Sequence, residues 1–373
     1  MQKVVFFSNS LWNLYNFRLD LINKFIEAGY KVYLLAPTDD SLKLFNHIDC
    51  EIFDIPIKRK GLNPLLEIKL IWDIFFILKK IKPHLLFTFT IKPNIYGSIA
   101  SRFEKIPVIN NITGLGYTFI KGGVLKRIVI FLYKISLSNS KIVFFQNSFD
   151  KEIFIKNSIC SKKVAHLIPG SGINTAEFPV RNSTSQNFNY PIKFLFIGRL
   201  LKDKGIFELI SAATNVKNSG YKIKILVVGD LDLGNPASLT KEQLDKCIED
   251  EIFDYLGYLD DVRDVIQDCH CVILPSYREG LSRALLEGAS MGKPLLGSDV
   301  PGCKEVISNK NGITFKPKSS LALEEAIVNF YDLDNQSKKQ MGINSRELII
   351  KNFDVQIVVD KYLNAAEKFC KNT

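Results

Sequence analysis

The chain has little sulfur chemistry to offer. Its 373 residues include seven cysteines, an odd number with no C-x-x-C pair, so neither a disulfide framework nor a cysteine zinc motif is indicated. Cys269-His270-Cys271 is the one cluster. Buried thiols are its expected state, with a metal site as the alternative. The chain also lacks the roughly 20 predominantly apolar residues that a membrane-spanning helix needs. Lys69 and Asp73 break the run 65–78, and Lys126 and Arg127 break 124–133. No export signal is visible: Lys3 is followed by four apolar residues, Val4 to Phe7, before Ser8 and Asn9, where such a signal carries roughly 7–15. A cytosolic protein is therefore expected. There is no low-complexity tract or short repeat, and no dense basic stripe or base-stacking motif of the kind nucleic-acid binders show.

What is there is ordinary globular composition, 46% hydrophobic and 24% charged, in a length that suits two domains. The charge is unevenly placed. Residues 1–180 hold 24 basic and 13 acidic side chains, net +11, and the remainder 25 and 26, net −1. An excess confined to one half points to an anionic partner there: nucleic acid, which the missing stripe and stacking motif disfavour, a membrane surface or a phosphorylated substrate. The segment 119–134, Phe-Ile-Lys-Gly-Gly-Val-Leu-Lys-Arg-Ile-Val-Ile-Phe-Leu-Tyr-Lys, mixes cations with long aliphatics. It reads either as a helix lying on an anionic bilayer, with Phe119, Ile128, Phe131 and Leu132 as wedges, or as a core-facing helix with a wet basic face.

Apolar runs alternate with amphipathic stretches. Strands are expected at 4–7, 31–36, 85–90, 108–112 and 142–146, with helices at 14–28, 65–81, 94–103 and 123–138. Continuous rather than alternating apolar runs indicate strands covered on both faces, hence a parallel sheet in a doubly wound α/β domain. A polar stretch, 179–191, is the best linker candidate, so a first domain is expected over 1–180. The pattern then restarts, with strands at 193–197, 224–228, 271–274 and 294–297 and helices at 204–218, 241–250, 282–291 and 320–332. Two such domains in series imply a cleft with the ligand beyond the strands' carboxyl ends.

Two segments of the second half carry chemistry. In Gly198-Arg-Leu-Leu-Lys-Asp-Lys-Gly205, two cations, Arg199 and Lys204, follow a buried strand and precede a helix, an arrangement suited to a diphosphate. In Leu274-Pro-Ser-Tyr-Arg-Glu-Gly-Leu-Ser282, a strand runs into a loop whose Glu279 precedes Gly280, Leu281 and Ser282, the last a good helix N-cap. Glu279 would accept sugar hydroxyls, and Glu287, in the second turn of the new helix, those of a ribose. The plain alternative makes Glu279 a loop charge and Glu287 a helix-surface residue. Asp230-Leu-Asp232 is a D-x-D, read here as a loop rather than a cation site.

Glu279 and Glu287 enclose seven residues, an E-x7-E. With G-R-L-x-x-x-K-G at 198–205 and Ala289-Ser-Met-Gly-Lys-Pro294, the chain resembles the family 4 retaining glycosyltransferases of the GT-B fold along its whole length. The resemblance implies two Rossmann-like domains facing across a cleft. The first, 1–180, would take the acceptor and the membrane, the second, 181–351, the donor, and 352–373 would cross back to brace the first. It further implies that Arg199 and Lys204 hold the donor diphosphate and that Glu279 holds the hexose with the N–H groups of Gly280, Leu281 and Ser282. Glu287 would bind the ribose, and backbone at Gly257-Tyr258-Leu259 would read the base. Tyr15-Asn-Phe-Arg18, Ile91-Lys-Pro-Asn-Ile-Tyr-Gly97 and Asn111-Ile-Thr-Gly-Leu-Gly-Tyr117 are similar to the subgroup extending undecaprenyl-diphosphate-linked sugars, the N-acetylgalactosaminyl transferases of O-antigen and N-glycan assembly among them. Arg18, Lys92, Asn111, Thr113 and Gly114 are the acceptor-side candidates. Many family members carry a histidine after the strand corresponding to 108–112. This chain does not, so no side-chain base is identified. The implied enzyme takes a UDP-sugar and a lipid-linked saccharide, needs no metal or cofactor, binds no nucleic acid and sits peripherally on the inner membrane face. The rival readings are a sugar-nucleotide epimerase of the same fold and a non-enzymatic membrane or nucleic-acid binding protein.

Overall fold

Fully buried apolar runs become parallel strands. In the computed structural model, which describes residues 1–57, 63–115, 123–180, 188 and 190–370, Lys3–Phe7 (β1), Lys31–Ala36 (β2), Cys50–Asp54 (β3), Leu85–Phe89 (β4), Val108–Ile112 (β5), Ile142–Phe145 (β6) and Ala165–Leu167 (β7) form one sheet in the order β3-β2-β1-β4-β5-β6-β7. Every pairing is parallel, with Val4 opposite Val32 on one side and Leu85 on the other. Period-two alternation divides β1 between the two faces: Val5 and Phe7 join one core cluster, Val4 and Phe6 the other. Leu11–Glu27 (α1) begins at the N-cap Ser10, whose side chain accepts from Asn13 N–H. Pro64–Ile81 (α2) has proline at its first position. The expected helix 94–103 is instead a π turn at Pro93–Gly97, a single α turn at Ser98–Ser101 (α3) and a 3-10 turn at Arg102–Glu104. Gly97 lies so close to the Phe7 ring that a Cβ would stand 2.9 Å from it, and Lys105, with positive φ, ends the run. Gly123–Leu137 (α4) and Ser148–Lys156 (α5) follow.

A second sheet repeats the plan. Ile192–Ile197 (β8), Ile223–Val228 (β9), Asp254–Tyr255 (β10), Cys271–Leu274 (β11), Leu295–Ser298 (β12) and Gly312–Phe315 (β13) run β10-β9-β8-β11-β12-β13, again all parallel. Helices Ile206–Asn218 (α6), Lys241–Glu249 (α7), Arg263–Asp268 (α8), Arg283–Ser290 (α9), Ser320–Asp332 (α10) and Asn335–Asn352 (α11) accompany it. Both strand orders reverse once, between β1 and β4 and between β8 and β11, which is where open α/β sheets bind ligands.

The units divide at Gly172/Ile173 and Asp354/Val355, not at 180 and 352. Ile173 pairs with the end of α11, its N–H donating to Phe353 O at 2.9 Å. Arg346 donates to the carbonyls of Thr175 and Phe178, which ties 173–178 to the second unit. Most of the expected linker 179–191 lies outside the described residues, and its Phe188 is buried against Phe330. The C-terminal helix Val355–Cys370 (α12) belongs to the first unit. Its Tyr362 is enclosed by Phe87, Phe89 and Phe144.

Candidate functional site

At the reversal of the second sheet, the loops after β8 and β11 are pressed together. Gly205 starts α6 at φ 77°, and a Cβ there would come within 2.1 Å of the Pro275 carbonyl oxygen. Only glycine permits that approach. Asp203 O also accepts from Tyr277 N–H at 2.8 Å and Ser276 Oγ at 3.1 Å. The loop after β12 clamps from the other side. Gly302 (φ 86°) packs on the Glu279 backbone, Glu279 N–H donates to Pro301 O, and Ser282 N–H donates to Gly302 O. Tyr277 hydroxyl donates to Glu208 Oε1 at 2.5 Å, fastening the loop to α6.

This clamp brings two of the sequence candidates into contact. Lys204 Nζ donates to Glu279 Oε1 at 2.6 Å, with the two side chains 23% and 13% exposed. Arg199 Nη1 donates to Asp232 Oδ2 at 2.8 Å in a more open pair. Asp232 also accepts from Asn235 Nδ2. The second acid of the D-x-D thus holds a cation of the protein itself. Among the described residues no group of three or more His, Cys, Asp or Glu is arranged to hold a metal ion.

Glu287 is not a surface residue. It is buried and accepts from Arg283 Nε at 2.8 Å, one helical turn away. Burial raises its carboxyl above the usual glutamate value, against the opposing pull of Arg283. Ser282 caps α9 through Leu285 N–H. Its own N–H is committed to Gly302, so of the three backbone donors expected around Glu279 this one is already used. The Leu281 N–H has no intramolecular acceptor among the described residues, and the same holds for Tyr258 and Leu259 N–H in the loop after β10. Tyr258 is exposed and Leu259 half-buried, while Gly257 O accepts from Gly229 N–H at 2.8 Å.

The acceptor-side candidates divide. Lys92 follows β4, its Nζ donating to Glu67 Oε1 at 2.5 Å in a half-buried pair. Thr113 and Gly114 follow β5 and are half-exposed. Arg18 and Asn111 are interior residues instead. Arg18 is buried with its guanidinium 4.6 Å from the Phe89 ring centroid, a cation held over an aromatic face. Asn111 sits in β5, donates to Tyr362 Oη at 2.6 Å and accepts from Asn94 Nδ2 at its carbonyl. Thr88, Asn94, Ser98, Asn110 and Ser140 continue this buried polar network, in which hydrogen bonds offset the cost of burial, although Asn111 Oδ1 has no partner among the described residues. Sequence reasoning missed Thr90. It holds φ 69° at the carboxyl end of β4, beside the reversal of the first sheet, and its Oγ1 is buried with no partner among the described residues. A β-branched residue in the left-handed region is strained, a condition that concentrates at functional sites. No sequence signal marks it.

The Cys269-His270-Cys271 cluster is structural: both thiols are buried, and His270 Nδ1 accepts from Lys193 N–H at 2.8 Å. Burial pushes the Cys269 thiol up to about 11.

Residues 181–348 match the family model for glycosyl transferases group 1, and residues 3–147 that for glycosyl transferase 4-like proteins. Among curated proteins the chain is similar to the N,N'-diacetylbacillosaminyl-diphospho-undecaprenol alpha-1,3-N-acetylgalactosaminyltransferase of Campylobacter jejuni, 27% identical over 99% of this chain and 100% of that protein. It is 23% identical to the UDP-Gal:alpha-D-GlcNAc-diphosphoundecaprenol alpha-1,3-galactosyltransferase of Escherichia coli, over 86% of this chain and 85% of that one. Among solved structures, a glycosyltransferase of Rickettsia africae superposes with a TM-score of 0.79 at 18% identity, with 100% of both chains covered. Anabaena HepE in complex with UDP-glucose gives 0.78 at 17%, with 98% and 100% covered. At these identities the solved structures speak to the fold.

Proposed function

This chain belongs to the family 4 glycosyltransferases of the GT-B fold, and on that premise we propose that it moves a hexosamine, N-acetylgalactosamine, from a UDP-sugar to a polyprenyl-diphosphate-linked saccharide. The acceptor class rests on the two relatives, both named for diphospho-undecaprenol sugars, and the UDP donor on the Escherichia coli enzyme. The observation that carries the reading is the Lys204–Glu279 pair at the reversal point of the second sheet.

Transfer proceeds with retention and without a divalent metal. Arg199 and Lys204 take the place of a metal at the donor diphosphate. Glu279 holds Lys204 ready before the donor arrives and accepts from the hexose hydroxyls, with Leu281 N–H as a backbone donor beside it. Glu287 accepts from the ribose, and Tyr258 and Leu259 offer backbone N–H groups to the base. The acceptor hydroxyl attacks the anomeric carbon on the face that the diphosphate leaves. As the new C–O bond forms and the old C–O bond to phosphate breaks, the departing phosphate oxygen takes the hydroxyl proton. Cationic stabilisation of that departing charge and positioning of the acceptor are the protein's contribution. Lys92, Thr113, Gly114 and Thr90 are the acceptor-side groups. The enzyme works peripherally at the inner membrane face, its cationic first unit against the lipids. No helix of the described residues is long and apolar enough to cross a membrane.

A thermal-shift screen over nucleotide sugars tests the donor site. UDP and UDP-N-acetylhexosamines are expected to raise the melting temperature, and Lys204→Ala to abolish the shift. Stabilisation by GDP- or dTDP-sugars in place of the uridine set would overturn the assignment.

A further inference from the structure

The outer face of the first unit is more apolar than packing requires. α2, the 93–104 segment and α4 lie side by side on one face of the seven-stranded sheet. Their inner sides give Leu70, Ile74, Leu78, Ala100, Val129, Tyr133 and Leu137 to a common core cluster. Their outer sides are not the wet polar surface that amphipathic helices present. On α2, Leu65, Ile68, Trp72 and Phe76 recur at helical spacing and are exposed, Trp72 by 46% and Phe76 by 61%. Phe103, 56% exposed, stacks on Trp72 with ring centroids 5.7 Å apart, and Phe75 meets it edge-on. On α4, Ile128, Phe131 and Ile135 are exposed. Of the sequence-stated wedges, Ile128 and Phe131 therefore point outward, Leu132 packs half-buried against the core, and Phe119 lies outside the described residues. Single exposed aliphatics are ordinary, but a contiguous set with tryptophan and several phenylalanines marks an interaction surface.

The charges on this face decide the occupant. Every exposed charged residue of α2 and α4 is basic: Lys69, Lys79, Lys80, Arg127 and Lys134. The acids of α2, Glu67 and Asp73, are half-buried, and Glu67 is held by Lys92. α4 has no acid. The cores of protein–protein interfaces are depleted in lysine, whereas a bilayer interface favours amphipathic aromatics ringed by lysine and arginine. We propose that this three-helix face, centred on Trp72, Phe76 and Phe103 and extended by Phe131, seats the enzyme on an anionic lipid bilayer. The aromatics enter the head-group region and the five cations lie over lipid phosphates. The inference deepens the reading of a lipid-linked acceptor and rests on it for its purpose.

Trp12 and Trp72 are the only tryptophans, which makes the test direct. The full-length Trp12→Phe protein, with Trp72 as sole reporter, is mixed with phosphatidylglycerol or phosphatidylcholine vesicles. A blue shift, with quenching by brominated acyl chains, is expected on the anionic vesicles alone. The Trp72→Phe protein should show neither. Trp72→Ser with Phe103→Ser should weaken flotation about tenfold or more, while the thermal shift with UDP stays unchanged because the donor site lies in the other unit. Flotation of wild type with Trp72 unshifted and unquenched would place the contact elsewhere and overturn the proposal. Absence of flotation would overturn it too, as would a dimer that Trp72→Ser with Phe103→Ser dissolves. A protein that seats through Trp72 yet ignores every UDP-sugar would refute the donor reading and leave this one standing.

Discussion

Breaking the Lys204–Glu279 pair should harm the fold and the reaction by separable amounts. At 2.6 Å the gross Coulomb attraction is about 6 kcal/mol at an effective dielectric of about 20. Most of that is offset by desolvation. An exposed pair nets about 0–1 kcal/mol, and removing one partner of a fully buried pair costs about 3–5. With side chains 23% and 13% exposed, Lys204→Ala should fall between, at about 2 kcal/mol. For a unit of this size that lowers the melting temperature by about 4–8 °C. Glu279→Gln keeps the shape and the hydrogen bond while removing the charge, so it should cost less. The assay is a double-mutant cycle on Lys204→Ala and Glu279→Ala by urea unfolding, and a coupling of at least about 1 kcal/mol is expected. Transfer separates the second effect. Losing a charge-assisted contact of about 1.5–3 kcal/mol, larger still as charge develops on the leaving diphosphate, should slow Lys204→Ala by about a hundredfold or more. Additive single variants, with coupling below about 0.5 kcal/mol, would refute the pairing. Near-normal turnover of Lys204→Ala would refute its role.

On the proposed reading, in which Arg199 and Lys204 take the place of a metal, chelation by EDTA should leave transfer intact. Loss of activity on chelation with recovery on manganese would instead make Asp230 and Asp232 ligands. Burial raises the Glu287 carboxyl, so it takes up its proton at a higher pH than an ordinary glutamate. UDP affinity should therefore weaken as pH falls through that raised value, and Glu287→Gln should remove the dependence. The stability effect has the opposite sense: a group whose folded value is raised contributes stability below its unfolded value, and that contribution is lost as pH rises through the folded one. Titration of UDP binding by calorimetry across pH 4–8 checks the first, and urea unfolding over the same range the second. Gly205→Ala would drive a Cβ to 2.1 Å from the Pro275 carbonyl, at a cost of about 3 kcal/mol or more. A variant that melts within a degree or two of wild type would show that the clamp between the β8 and β11 loops yields.

The strands legible in the sequence are those covered on both faces. β2, β5 and β11 fall where their apolar runs begin and end, since a run such as Lys31–Ala36 has no other way to be buried. The strands without a signal lie at or next to sheet edges. β3 is half-exposed with no fully buried residue, β7 is three residues long, and β10 two. Such strands bury too little apolar surface to leave a pattern. Arg199, Lys204 and Glu279 were readable because each follows a buried strand within a short distance. Their partners were not: Lys204 and Glu279 are 75 residues apart, and Arg199 and Asp232 33, and which cation meets which acid is set by how the loops stack on Gly205 and Gly302. Arg18 and Asn111 show the limit from the other side. Both residue types read as surface or site groups, yet one is drawn over Phe89 and the other bonded to Tyr362, contacts made by distant segments. Thr90 is a matter of backbone conformation, which its identity conceals.

The most direct test of the central claim is the anomeric configuration of a transferred sugar. Purified protein is incubated in EDTA with UDP-N-acetylgalactosamine and an undecaprenyl-diphosphate-linked saccharide, and the extended glycan is examined by proton NMR. One added N-acetylgalactosamine with the α configuration of its donor is expected, formed by wild type and not by Lys204→Ala. A β-linked product, or no transfer from any UDP-sugar by protein that binds UDP, would contradict it.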